Sequence, residues 1–241
     1  MPLYAGYAAW RGLIVESAFP PALHGELFEV FAFCLPPNEQ MLGYPVAGPD
    51  NDLRPGHRRY NFVWYRPASE AEELPLLLTD ESGRSHVLSI PPPLIARDVV
   101  TAMRADAARV LAPQFSEMVG LCAQPFLQPI YDLEVPKMAF GRVAILGDAA
   151  FVARPHVGAG VAKAAEDALA LADALDTSDD VEAGLKNFEQ IRIGAGRRII
   201  ERARRLGAYV QANLKTEAER AYAALHRTPD AVLSETATMN F

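Results

Sequence analysis

Residues in the second half of the chain have the types and spacing of a ligand site: Gly147, Asp148, Pro155, Gly158 and Gly160. The apolar run 143–146 just before them has the length of a fully buried strand. Residues 158–175 are rich in Ala and Leu, which predicts a helix. The pattern is therefore a buried strand, an acidic turn, a glycine loop and the start of a helix.

This arrangement suits a ligand that carries oxygens and an electron-rich ring. The first turn of a helix has unpaired N–H groups and a partial positive charge, and glycines let a ligand approach the backbone closely. Asp148 lies where a strand meets a loop, the position at which open α/β sheets bind ligands. Each part alone has an ordinary alternative: an aspartate that caps a turn, a simple Gly-x-Gly turn, or a proline that ends an element.

The whole stretch resembles the second flavin-binding motif of single-component FAD-dependent aromatic hydroxylases, which have the p-hydroxybenzoate hydroxylase fold. That motif runs Gly-Asp-Ala-Ala, Pro-x-x-Gly-x-Gly, then Asp-Ala-x-x-Leu-Ala, and this chain reads GDAAFVARPHVGAGVAKAAEDALALADAL. The resemblance is closest to the 2,6-dihydroxypyridine 3-hydroxylase branch, in which YAGYAAWRG (4–12) and YNFVWYR (60–66) have counterparts in the same order. It extends from about Tyr4 to about Arg205.

One part of such an enzyme is not visible in the sequence. Members of this family begin with roughly 150 residues that carry the fingerprint G-x-G-x-x-G and hold the ADP half of FAD. Here 158–160 lacks the third glycine, and 194–196 lies inside a predicted helix with no strand before it. We therefore expect the chain to be the carboxyl-terminal part of a flavin hydroxylase.

The resemblance implies an oxidoreductase, a flavoprotein monooxygenase that uses FAD as cofactor and NAD(P)H as co-substrate. Reduced flavin would take up O2 to form a flavin C4a-hydroperoxide, which hydroxylates an aromatic or hydroxypyridine-type ring. The cofactor does this chemistry, while the protein supplies positioning, desolvation and charge placement. The implied partners are a small aromatic substrate and O2, with either a homodimer or a separate amino-terminal FAD-binding half.

The resemblance assigns cofactor contacts along the loop, to Asp148, Pro155, Val157, Gly158, Ala159, Gly160 and Val161. Asp148 would accept hydrogen bonds from the ribityl hydroxyls, and backbone donors at the helix start would stabilise negative charge on the reduced flavin. The chain departs from the common motif at two positions, with Phe151 in place of His and Ala162 in place of Asn. Only backbone donors are left where the Asn would be.

Three charged or titratable side chains accompany this loop. His156 is the catalytic candidate, as a flavin contact or in substrate deprotonation, and a solvated or structural histidine is the alternative. Arg154 and Lys163 could neutralise reduced flavin or pyrophosphate, or they could be ordinary surface charges. The sequence identifies no other base for substrate deprotonation.

Aromatic residues of the predicted sheet are the candidates for substrate contacts: Tyr44, Trp64 and Tyr65. Side chains alternate between the two faces of a strand, so Trp64 and Tyr65 cannot line one side of the same pocket. Each of the three could equally be a core residue. Arg11, if buried, needs a partner, and we expect a structural ion pair.

The element pattern predicts an α/β (α+β) chain with three parts. Residues 1–136 form an antiparallel-sheet substrate domain, with strands at 7–15, 31–35, 40–46, 59–66 and 126–135 and helices at 22–30, 94–111 and 113–121. Residues 137–211 form a strand–loop–helix part of a Rossmann-like FAD domain, with a strand at 140–147 and a long helix at 181–211 that could be irregular at Gly194 or Gly196. Residues 212–241 form a helix, at 216–226, and a tail.

Composition excludes several other classes of protein. A formal charge of −7 argues against nonspecific binding to nucleic acid or to anionic membranes. No secretion signal or bilayer-spanning run is visible, so we expect a cytoplasmic protein. Cys34 and Cys122 give neither a disulfide framework nor metal-ligand spacing, and no metal is expected. The arginines of the long helix predict a solvated face or a subunit contact.

Two alternatives to an active enzyme follow from the absent fingerprint. The chain could be a truncated, catalytically silent substrate domain that acts as an interaction module. It could also be one half of a split flavoenzyme whose other half is a second polypeptide. In each case we expect the 241-residue chain to bind FAD poorly by itself.

Overall fold

The computed structural model describes residues 1–210, 214, 217–226 and 228–236, which divide into two compact units. The sheet unit contains Gly6–Pro129 and Val210; the helical unit contains Met1–Ala5, Ile130–Tyr209 and the described residues from 214 onward. The domain limits expected at 136 and 211 stay predictions, because compactness alone does not show where a domain folds independently.

The sheet has six strands, hydrogen bonded in the order β2-β3-β4-β1-β5-β8. They are β1 (Leu3–Val15), β2 (Ala32–Cys34), β3 (Gln40–Val46), β4 (Arg59–Pro67), β5 (Phe126–Glu134) and β8 (Phe151–Val152). β4 lies between β3 and β1 and pairs antiparallel with both. The antiparallel sheet predicted from the alternating aromatic residues is confirmed, with β3 at its predicted bounds.

Four helices belong to the sheet unit. They are α1 (Pro21–Leu23), α2 (Glu73–Leu77), α3 (Arg97–Val110) and α4 (Pro113–Leu121). α4 begins at its proline because the fixed φ of proline suits the first helical position and its missing N–H has no intrahelical acceptor there. The short helix expected at 22–30 is present over 21–28, where α1 passes directly into a π-helical segment, His24–Phe28, and it ends two residues earlier than expected.

The helical unit contains a small hairpin and four helices. The hairpin joins β6 (Ala139–Phe140) and β7 (Val143–Ala144), and the helices are α5 (Gly160–Asp176), α6 (Val181–Gly207), α7 (Glu217–His226) and α8 (Pro229–Thr236). The single buried strand expected at 140–147 was therefore wrong. Within the described residues β7 pairs only with β6, and its Val143 side chain is 61% exposed. Residues 211, 212 and 216 of the predicted helices lie outside the described residues.

Helix α6 runs without a break through both of its central glycines. A Cβ on Gly196 would overlap the ring of Phe151, whereas one on Gly194 would meet no atom closer than 3.6 Å. Gly196 therefore permits close packing rather than a kink. The ring belongs to the core of this unit, formed by Met138, Ala150, Phe151, Ala174, Phe188 and Ile200.

Candidate functional site

The turn at Gly147 and Asp148 is held by side chains of helix α5. Gly147 has a φ of +58°, a conformation that favours glycine. Its N–H donates to Asp167 Oδ2 at 3.0 Å, and its carbonyl accepts from Lys163 Nζ at 2.7 Å. Both side chains are buried, with 1% exposure for Lys163 and 2% for Asp167. Both polar groups of this glycine are thus fixed from one helix.

A buried ion cluster continues from this turn into helix α6. Arg192 Nε donates to Asp167 Oδ1 at 2.7 Å, and Arg192 Nη2 donates to Glu166 Oε2 at 2.9 Å. Lys163 Nζ lies 3.6 Å from Asp167 Oδ2. The two cations and two carboxylates balance in charge. Lys163 is therefore not a surface charge, and its ammonium group binds the peptide that precedes Asp148.

The backbone around Asp148 is open to a ligand. Asp148 is exposed within a 3-10 turn, Gly147–Ala149. A second 3-10 turn, Pro155–Val157, ends at Gly158 with a φ of +64°. No heavy atom lies within 4 Å of a Cβ built on Gly158 or Gly160. A ligand could therefore approach this backbone without meeting other protein atoms.

The amino terminus of α5 offers unpaired donors at the same place. Ala159 precedes the helix and supplies no side-chain cap, and the first turn contains no acidic residue. Val161, in that turn, is 88% exposed although its side chain is apolar. Backbone N–H groups, an exposed apolar side chain and a nearby carboxylate suit the pyrimidine edge and ribityl chain of a flavin.

Arg154 and His156 differ from their expected roles. Arg154 is 4% exposed and donates to both oxygens of Asp132, at 3.0 and 2.8 Å. Arg204 of α6 donates to the same carboxylate at 3.3 Å. Arg154 is thus neither a surface charge nor an unpaired one. Burial of the ring, with a smaller effect of Arg154, lowers the pKa of His156 to about 3, so His156 is a neutral ring and a weak base at pH 7.

The two departures from the common flavin motif have different surroundings. Phe151 is 1% exposed and packs in the core of the helical unit, where its ring meets Gly196. The position that carries His in the common motif therefore serves packing here. Ala162 is exposed on the first turn of α5, and it leaves the backbone donors uncovered.

The substrate candidates divide between the two faces of the sheet. Tyr65 pairs with Gln40, and Tyr44 pairs with Asn61, which places these four on one face. We call it the polar sheet face, with Arg11 and Leu13 added from β1. Trp64 lies on the opposite face, where its Nε1 donates to Glu39 at 2.8 Å. Tyr44 and Tyr65 therefore lie on one face of the sheet and Trp64 on the other, and the Tyr65 side chain is only 2% exposed.

Polar residues of this face were missed in the sequence. Gln40 and Asn61 are 1% and 6% exposed, and neither amide nitrogen has a hydrogen-bond partner within the described residues. Burial raises the pKa of Tyr65, which keeps its phenol protonated at neutral pH. The signal that could have found Asn61 is an amide placed between aromatic residues in the strand YNFVWY.

The expected ion pair of Arg11 is absent among the described residues. Its Nη1 donates to the neutral Gln128 Oε1 at 2.9 Å, and its guanidinium lies 5.6 Å from the centroid of the Phe126 ring. Its Nε is buried without a hydrogen-bond partner in the same part of the chain. The expected ion pair was therefore wrong, since a neutral amide takes the place of an acid beside Arg11.

A possible metal-ligating group occurs elsewhere in the sheet unit. In the described part of the chain it consists of Glu16, His24 and Glu29. Arg58 donates to both carboxylates, with Nη2 2.8 Å from Glu16 Oε1, and this pairing lowers the pKa of Glu16 to about 2. A guanidinium already balances these acids.

Among the described helices, none combines the length and apolar character needed to cross a membrane.

Comparisons with known proteins agree with this architecture. A family model described as FAD binding domain-like matches residues 4–132. The 2,6-dihydroxypyridine 3-monooxygenase of Paenarthrobacter nicotinovorans is 28% identical over 210 residues, which cover 87% of this chain and 52% of that protein. The 3-amino-4-hydroxybenzoate 2-monooxygenase of Streptomyces platensis is also 28% identical, over 86% of this chain and 45% of that protein.

Solved structures lead to the same family. The 2,6-dihydroxypyridine-3-hydroxylase from Arthrobacter nicotinovorans superposes with a TM-score of 0.81 at 26% identity, over 90% of this chain and 55% of that one. A salicylate hydroxylase substrate complex, at 21% identity and a TM-score of 0.64, shares the fold. The chain spans about half the length of the relatives it matches. It belongs to the FAD binding domain-like family, and its homologues are FAD-dependent aromatic hydroxylases.

Proposed function

We propose that this chain is the carboxyl-terminal part of an FAD-dependent monooxygenase that hydroxylates an aromatic or hydroxypyridine-type ring with NAD(P)H and O2. The observation that carries the proposal is the open backbone between Asp148 and Gly160 next to the uncapped start of α5. Relatives named as monooxygenases of 2,6-dihydroxypyridine and of 3-amino-4-hydroxybenzoate support the substrate class.

The residues of the loop would hold the flavin and tune its charge. Bound FAD would supply the redox chemistry, which is reduction by NAD(P)H and activation of O2. The exposed Asp148 carboxylate would accept hydrogen bonds from ribityl hydroxyls. The N–H groups from Gly160 onward would favour negative charge on the pyrimidine edge. Pro155, Val157, Ala159 and Val161 would shape the surface against which the ring system lies.

The buried ions would keep this surface in place. Lys163 and Asp167 fix both polar groups of Gly147, so the peptide before Asp148 cannot rotate without breaking two hydrogen bonds. Arg154 would hold the start of the glycine loop through its pair with Asp132. Their contribution to cofactor binding is geometric, since a preformed site loses less conformational entropy when the ligand binds.

The polar sheet face would orient the substrate ring. Tyr44 and Tyr65 offer aromatic surface and phenol groups, and Asn61 offers an unused donor. The neutral His156 would serve as a hydrogen-bonding group rather than as a base. We therefore assign no side-chain base to the reaction.

Complementation in trans tests the proposal. The chain would be mixed with the amino-terminal segment of the Paenarthrobacter relative that precedes the matched region, together with FAD, NADH or NADPH, and 2,6-dihydroxypyridine. We expect weak FAD binding by the chain alone, and flavin absorbance with substrate-dependent NAD(P)H consumption after mixing. After gel filtration removes free FAD, a protein fraction without flavin absorbance would contradict the proposal.

A matched pair of aspartates sharpens the test. Asp148→Ala removes an exposed carboxylate at the open loop, whereas Asp173→Ala removes an exposed carboxylate further along α5. A hydrogen bond to a charged group contributes about 1.5–3 kcal/mol, so Asp148→Ala should weaken FAD binding by roughly tenfold to a hundredfold. Asp173→Ala should leave it unchanged, and equal effects of the two variants would count against the assigned site.

The split-enzyme alternative predicts a different partner. If the other half is a second polypeptide, a flavin-binding protein should copurify with this chain from its native source. A silent interaction module predicts that the chain gains no flavin absorbance with any amino-terminal segment, although it still folds.

A further inference from the structure

A cavity of about 230 Å³ lies in the sheet unit, between the sheet and the helices α2 and α3. Six of the residues that line it are Ala8, Trp10, Ala68, Leu77, Ala102 and Met103. Three of these six are alanines, and their short side chains leave space that longer apolar residues would fill. An apolar cavity of about 150 Å³ is large enough for benzene, so this one can hold a molecule with one ring.

The cavity borders the face of the sheet opposite to the polar sheet face. Ala8 of β1 pairs with Arg66 of β4. Trp10 pairs with Trp64, whose side chain points away from the polar sheet face. Successive side chains of a strand point to opposite faces, so β1 contributes to both sides of the sheet. A ligand in the cavity would therefore contact β1 from behind and would not compete with a substrate on the polar sheet face.

The charged residues that line the cavity already have partners. Arg66 Nη1 donates to Asp106 Oδ2 at 2.8 Å, and Arg66 Nη2 donates to Glu39 Oε1 at 3.3 Å. The Glu73 carboxylate accepts from a backbone N–H at 2.7 Å. A charged ligand would lose hydration and find no free counter-ion among the described lining residues, whereas a neutral ligand leaves these pairs intact. The charges therefore favour an uncharged ligand.

The apolar lining suits an aromatic ring. Trp10 supplies an aromatic side chain, and Met103 supplies a thioether, a group that makes favourable contacts with ring edges. Leu76 of α2 also lines the cavity, and it is 69% exposed. A ligand that covers this leucine removes apolar surface from water, which favours binding.

We propose that this cavity is a second ligand site, which binds an uncharged aromatic molecule with one ring. The inference goes beyond the monooxygenase proposal, because it concerns the other face of the sheet and needs no flavin. The ligand would contact β1, β4, α2 and α3 together, and these elements lie side by side only in the folded chain. Binding would therefore stabilise the sheet unit.

The test is a titration of the full chain without flavin, followed by NMR. The probes are toluene, benzoate and benzylammonium, which share one ring and differ in charge. The chain has two tryptophans, so the indole N–H signal of Trp10 can be assigned by its loss in Trp10→Phe. We expect toluene to shift this signal and to bind at least about tenfold more tightly than either ion, because the ion would lack a counter-ion in the cavity.

Two phenylalanine variants of α3 locate the site. Ala102 lines the cavity and is exposed, so Ala102→Phe should fill the space and weaken toluene binding by at least about tenfold. Ala105→Phe is the matched control, because Ala105 is exposed on the same helix and lies outside the lining. It should bind toluene as the unchanged chain does. Thermal unfolding of each variant checks that it is folded.

Three results would overturn the inference. One is a Trp10 signal that toluene does not move up to its solubility limit. Another is binding of benzoate or benzylammonium as tight as that of toluene. The third is unchanged toluene binding by Ala102→Phe, or an equal loss with Ala105→Phe. If Ala102→Phe does not fold, the first two results still decide. Because no flavin is present, each result leaves the monooxygenase proposal standing, and failure of the complementation experiment leaves this titration valid.

Discussion

Replacement of Asp167 by Asn tests the buried ion cluster beneath the Gly147–Asp148 turn. The Asp167 carboxylate accepts from Gly147 N–H and from Arg192 Nε, and it lies 3.6 Å from Lys163 Nζ. Asp167→Asn keeps the shape and one acceptor oxygen but removes the negative charge. Arg192 would then keep only Glu166, whose side chain is 60% exposed, and Lys163 would lose its one ion pair among the described residues.

The expected loss of stability is large for a change so small in shape. Removing one partner of a buried ion pair costs about 3–5 kcal/mol, because the other charge is left uncompensated. The retained Asn oxygen can still accept from the Gly147 N–H, so we expect the lower end, about 3 kcal/mol. For a chain of this size 1 kcal/mol corresponds to roughly 2–4 °C, which gives a Tm decrease of roughly 6–12 °C.

Glu166→Gln is the matched control for this prediction. It neutralises the adjacent carboxylate, which binds the same arginine at 2.9 Å but is largely in water, so it should cost only about 0.2–1 kcal/mol. Urea and thermal unfolding followed by circular dichroism would measure both variants. If the two variants lose the same stability to within about 0.5 kcal/mol, burial does not make Asp167 more important than Glu166, and the prediction is refuted.

Three further outcomes are expected. Gly196→Ala should destabilise the chain by about 1–3 kcal/mol, because the added methyl group would overlap the Phe151 ring. Gly194→Ala should be neutral or stabilising by up to about 1 kcal/mol. Urea unfolding would measure both variants. The hydrogen bonds from Arg58 lower the pKa of Glu16 from 4.5 to about 2. The contribution of Glu16 to stability is therefore present above pH 4.5 and is lost as the pH falls through 2. The stability cost of Glu16→Gln in acid unfolding curves should shrink across that window, and a constant cost would contradict the pairing. The His156 ring should show no protonation in NMR titrations between about pH 5 and pH 8, and a midpoint near its ordinary value would show that the ring is not buried in solution.

Periodicity predicted most of the elements of the sheet unit. Alternating aromatic residues in β4 and the proline at the start of α4 are local signals, and the strand and helix lie where those signals place them. The same reasoning failed at 140–147, where an apolar run suggested one strand. Gly141, with a φ of +60°, turns the chain there into a hairpin, and a local pattern cannot show which partners a strand will have.

The motif predicted the open loop but not the groups that hold it. Asp148, Gly158 and Gly160 were identified from spacing, and their backbone is accessible in the structure. In the sequence, Lys163 and Arg154 could be either cofactor-neutralising or ordinary surface charges, because the Gly147 carbonyl and the Asp132 carboxylate that bind them lie on other elements. A carboxylate 22 residues before Arg154 binds it, and only the folded chain brings the two together.

The sequence separation of the ion pairs in the helical unit predicts an order of events during synthesis. Arg192 follows its partner Asp167 by 25 residues in the sequence, and Arg204 follows Asp132 by 72 residues. Until helix α6 has been synthesised, Asp167 lacks its hydrogen bond from Arg192 and Asp132 lacks its contact with Arg204, although Lys163 and Asp167 of α5 can already bind Gly147. We therefore expect the loop between Asp148 and Gly160 to become more protease-resistant once most of α6 has emerged.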